Sequence, residues 1–139
     1  MANSYIEHQD AVVRINDGGL TALLAWVDHC RTAEANHASE TLSEWLKVAY
    51  SSPPGLIDFE LEPLAADVRL MKDILLTLEK AIERLPGVHA KVSKATLQSK
   101  VPESEFVFID VESDYLRSIG SKFLKFLREV ESAHGREVN

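Results

Sequence analysis

Hydrophobic and polar residues alternate one by one from Ile57 to Glu62, with Ile57, Phe59 and Leu61 set between Asp58, Glu60 and Glu62. Period two places the two sets on opposite faces of an extended chain, so the spacing predicts a strand with an acidic face. After Pro63 the period lengthens. Leu64, Val68, Met71, Leu75, Leu78, Ile82 and Leu85 recur every three or four residues, with Ile74 and Ala81 beside them. That stripe predicts a helix over residues 63–85, opened by Pro63 at a position where its missing N–H costs nothing and stopped by Pro86-Gly87. A second stripe, Leu116, Ile119, Phe123, Phe126, Val130 and Ala133, predicts a last helix capped by Ser113 and ended by Gly135, leaving 135–139 as a mobile tail. Between the two helices, Phe106, Val107, Phe108 and Ile109 predict a strand over 106–111 that is apolar on both faces and so requires cover on both sides.

The first third of the chain is less regular. Leu20, Leu23, Val27 and Cys30, widened by Leu24 and Trp26, predict a helix over residues 20–35 buried on more than one side. Asp17-Gly18-Gly19 before it reads as a turn and helix start; a phosphate-cradling loop needs more glycines and a preceding strand. Thr41-Leu42-Ser43-Glu44 has the form of a capping box, so a further helix is expected from Thr41, with Leu42, Trp45, Leu46 and Ala49 as its stripe and the two prolines of Ser51-Ser52-Pro53-Pro54-Gly55 as its end. Residues 1–16 fit either period, and Ile6 and Val13, seven apart, tip the reading to helix. Residues 88–104 carry no settled period. The fold expected is α+β and mostly helical, four to five helices packed with a small two- or three-stranded sheet, in one compact domain over residues 1–134.

Composition narrows the class. At 139 residues with 45% hydrophobic and 27% charged positions, the chain can bury a core without a metal or disulfide. No apolar run is long enough for a membrane helix, the first ten residues lack the basic flank and apolar centre of a secretory signal, and Cys30 is the only cysteine, so a cytoplasmic protein is expected. The net charge of -7 is unevenly spread. Residues 1–67 hold 11 acids and 3 bases, 68–100 hold 3 acids and 7 bases, and 101–114 hold 5 acids and no base. Acidic blocks repel nucleic acid and steer basic proteins toward them.

Candidate chemistry is sparse. His29 and Cys30 are neighbours on a helix and point about 100° apart, which suits a nucleophile pair poorly. The five histidines show no i, i+3 or i, i+4 spacing, and no Gly-x-Ser-x-Gly elbow occurs. Asp58, Glu60, Glu62, Asp110, Glu112 and Asp114 could bind a hard cation, or serve as a carboxylate pair, only if their strands were adjacent and a wrapping loop or cleft were present. Trp26 and Trp45 sit on helical stripes and read as core. No cofactor and no metal are expected.

Three readings of the acidic face compete: a charged edge that discourages strand pairing, a face neutralised by Lys91, Lys94 and Lys100 folding over it, and a docking surface for a basic protein. The functional expectation is a non-enzymatic protein-binding domain, of inhibitor or immunity type, that docks a basic partner through those six acids. The alternatives are a homo-oligomer pairing through the heptad-spaced helices, and a small-molecule-binding domain or enzyme with an apolar pocket.

Overall fold

The computed structural model of the chain describes residues 2–31 and 37–138, with side chains as far as Ala133. It begins with an antiparallel hairpin, β1 (Asn3–His8) and β2 (Ala11–Asn16). The helix expected over residues 1–16 is therefore absent. Ile6 and Val13, whose seven-residue spacing suggested one helix face, are cross-strand partners, and with Ala11 and Ile15 they form the buried face of the hairpin.

Helix α1 (Asp17–Cys30) follows directly. Asn16 Oδ1 accepts the Gly19 N–H at 2.8 Å, which satisfies one orphan amide of the first turn. Residues Gly19 to Val27 are buried without interruption, and α1 contacts four other helices as well as β2. A helix covered all round in this way is the centre of the core. It ends at Cys30 because Arg31 is already extended; the remainder of the helix expected to residue 35 falls on 32–36, outside the described residues.

Helix α2 (His37–Ser51) starts before Thr41, so the capping-box residues lie inside the helix rather than at its entrance. Helix α3 (Glu62–Ala65) and helix α4 (Val68–Glu83) replace the single helix expected over 63–85. The break has a local cause: Asp67 is extended, and its side chain accepts the Leu70 N–H at 3.0 Å, so α4 has its own N-cap. Leu64 and Met71 are buried on either side of the break, whereas Val68, between them in the stripe, is exposed.

The remaining elements are β3 (Lys91–Val92), α5 (Lys94–Gln98), β4 (Val111–Glu112) and α6 (Ser113–Val138). The α6 backbone continues through Gly135 to Val138 instead of stopping there. A glycine lowers helix propensity by about 1 kcal/mol but ends a helix only when it turns left-handed. The molecule is α+β and mostly helical, with six helices and two small two-stranded sheets among the described residues.

Both strands expected before the long helices are corrected. Neither 57–62 nor most of 106–111 enters a ladder; β1 pairs with β2, and only Val111–Glu112 pairs, with Lys91–Val92. The two expected strands accordingly do not form a common sheet. Segment 56–61 nonetheless keeps its period-two faces. Ile57, Phe59 and Leu61 are buried, and Phe59 stacks on Trp45 at 4.8 Å while Phe123 meets both rings edge-on. Burying each such side chain contributes roughly 1.5–3 kcal/mol, against about 1 kcal/mol net for a backbone hydrogen bond, so this segment is held by its apolar side rather than by a ladder.

Helix α6 closes the core. Leu116, Ile119, Phe123, Phe126 and Val130 are buried against β2, α1 and α4. Two glycines permit the approach. A Cβ on Gly19 would come within 2.9 Å of Ile119 Cδ1, and one on Gly120 within 2.5 Å of Ile82 Cδ1.

Candidate partner-binding surface

The six acids fall into two groups, Asp58, Glu60 and Glu62 on one segment and Asp110, Glu112 and Asp114 on another. Asp58, Glu60 and Glu62 are exposed on one side of the buried Ile57, Phe59 and Leu61. Their segment is tied to β1 at both ends: Ile57 N–H donates to Ser4 Oγ at 3.0 Å, and Glu62 Oε2 lies 3.7 Å from His8 Nε2. Asp58 and Glu60 have no hydrogen-bond or ion-pair partner among the described residues. No ion pair joins Lys91, Lys94 or Lys100 to this face among the described residues. Lys91 stands opposite Glu112 across the short sheet, Lys100 Nζ is 3.9 Å from Asp28, and Lys94 offers its backbone N–H to Asp110.

The anchor of the first group is buried. Ser4 Oγ donates to Asp17 Oδ1 at 2.6 Å, and Asp17 Oδ2 accepts the Gly55 N–H at 2.7 Å. Gly55 turns with φ +80°, a conformation suited to glycine, and delivers the chain into the acidic segment. Hairpin, helix start and acidic segment thus meet on one carboxylate.

Asp110, Glu112 and Asp114 occupy the second group. Asp110 Oδ1 accepts the Lys94 N–H at 2.8 Å at the start of α5, and Asp114 pairs with Arg117 at 2.6 Å one turn along α6. Glu103 and Glu105 are also exposed, so exposed acids stand before and after the apolar run 106–109 and form an acidic border to it along the chain. Inside that border lies an apolar surface. Val107 and Ile109 are 71% and 75% exposed, and they line a groove of about 580 Å³ between segment 106–112 and the start of α1, with Tyr115 also in its lining. The two-sided cover expected for this strand is present on one side only. Phe108 is buried; Val107 and Ile109 are not.

The Gln98 side chain holds the covered edge. Its Nε2 donates to the carbonyls of Val101 and Phe106, both at 2.8 Å, and its Oε1 accepts the Phe108 N–H at 2.9 Å. One amide side chain thereby occupies the place that a neighbouring strand would take.

A cavity of about 320 Å³ beside Cys30 gathers Arg31, Lys80 and Arg84, but the arginines are already engaged: Arg84 donates to the Cys30 carbonyl at 2.8 Å, and Arg31 to Ser39 O at 2.7 Å. Burial pushes the Cys30 thiol up, with the Arg84 charge opposing it, so the thiolate is disfavoured. The neighbouring His29 ring packs against Trp26 at 5.5 Å. Among the described residues, no group of three or more His, Cys, Asp or Glu side chains is placed to hold a metal ion, and no helix is long and apolar enough to cross a membrane.

The stripes suggested for self-association are largely covered within one chain. Leu64, Met71, Leu75, Leu78 and Leu85 of the first stripe and Leu116 to Val130 of the second are buried. The groove beside the second acidic group was not foreseen from the sequence, because its walls come from the start of α1 and from residues 106–115, far apart along the chain. No family model, curated protein or solved structure gives a significant match to the chain.

Proposed function

We propose that this chain is a non-enzymatic protein-binding domain that docks a basic partner, an inhibitor or immunity-type protein of the cytoplasm being one form of that role. The observation that carries the reading is the pairing of Val107 and Ile109, exposed beside an apolar groove, with Asp110 and Glu112 in a groove lining that holds no lysine or arginine. Protein interfaces commonly combine a desolvated apolar centre with a polar rim, and rim carboxylates speed encounter with a cationic partner. Asp58, Glu60 and Glu62 add to the field that steers the partner, while the contact itself centres on 106–115.

Capture from native lysate tests the reading, with Val107→Ser/Ile109→Ser and Asp58→Asn/Glu60→Gln beside the wild type. The expected result is a basic protein retained by the wild type at low salt, lost with the apolar pair changed and reduced with the acids changed. A partner retained equally by all three proteins would overturn it.

A further inference from the structure

Resting on that reading, we infer that the basic partner binds as an extended strand added to the open backbone edge of residues 107–109, its alternate side chains apolar toward the groove and cationic toward the acidic border. The backbone supports this independently of the side chains. Exposure alternates along 106–109, and Gln98 bonds the Phe106 carbonyl and the Phe108 N–H, two residues apart, on one edge. Neighbouring residues of an extended chain present their N–H and C=O groups to opposite edges. Those of Val107 and Ile109 have no hydrogen-bond partner among the described residues. An exposed edge with unpaired N–H and C=O groups accepts a strand from another chain, and pockets for alternate side chains supply selectivity.

Charge chooses the occupant. Asp110 and Glu112 are the charged residues lining the groove, and Glu103 and Glu105 are exposed earlier in the same segment. Lys91 stands opposite Glu112 in the short sheet, but no lysine or arginine lines the groove, so an acidic or neutral strand gains nothing from the border. A second copy of this segment would bring its own acids against these and is disfavoured for the same reason.

The test uses the isotope-labelled full chain and three synthetic peptides: alternating Lys and Val, the same peptide with alternate backbone amides N-methylated, and alternating Glu and Val. The Lys-Val peptide should bind saturably and slow amide exchange at Val107 and Ile109. N-methylation, which removes two or more interchain hydrogen bonds, should weaken it by about tenfold or more. If the N-methylated peptide binds as well, or the two amides stay unprotected in the complex, strand addition is overturned while the basic-partner reading stands. Equal binding of the Glu-Val peptide overturns the basic-partner reading itself. No saturable binding of the Lys-Val peptide, or protection of both amides by self-association without peptide, overturns the strand proposal.

Discussion

At Ser4 a single hydroxyl serves two elements, donating to Asp17 and accepting from the buried Ile57 N–H. Ser4→Ala leaves that N–H without its acceptor and is expected to cost about 1–3 kcal/mol, read as a lower urea midpoint with an unchanged m-value. Cys30 gives a pH-dependent expectation. Because burial raises its pKa, the folded state keeps the proton where the unfolded state begins to lose it, so stability falls as pH rises past the ordinary thiol value of 9.0. Alkylation by iodoacetamide at mildly alkaline pH should be slower than for free cysteine, and Cys30→Ala should flatten the alkaline decline in melting temperature. A thiol alkylated as fast as the free amino acid would contradict this. The exposed carboxylates and buried apolar residues of 56–61 were readable from the sequence because period two alone separates them. The role of Ser4 was not, since a serine carries no pattern that distinguishes a buried hub from a surface position.

At the scale of elements, the junction between α3 and α4 is the clearest local device. Asp67→Ala should destabilise the protein by about 1 kcal/mol through loss of the α4 cap, and the loss should be largely recovered by Asp67→Ser. Thermal unfolding of the two variants checks it. The break escaped the sequence reading because Leu64, Val68 and Met71 keep helical spacing across it, although Val68 points outward. The hairpin was hidden for the opposite reason. Ser4 and His8 interrupt the apolar side of β1, and the tight turn uses Gln9 at φ 54° rather than a glycine that would have marked it. The two long helical stripes were legible because most positions in them are buried by the same core.

For the whole molecule, α+β class and helical dominance followed from the alternation of short extended runs with long stripes, whereas pairing partners depend on contacts that no local period encodes. Since Asp58 and Glu60 are exposed and have no partner among the described residues, Asp58→Asn/Glu60→Gln should change stability by no more than about 0.5 kcal/mol. Its effect should instead be confined to slower association with a basic partner at low salt, measured by stopped flow, and should vanish as salt screens the field. A large fall in melting temperature would place these acids in the folding of the chain. One arrangement also constrains the order of assembly. Helix α6 packs on both β2 and α1, so part of the cover over the apolar faces of residues 11–30 comes from an element that begins only at Ser113. During synthesis those faces emerge well before α6, and the surface that α6 covers on the hairpin and central helix stays open until that helix has been made.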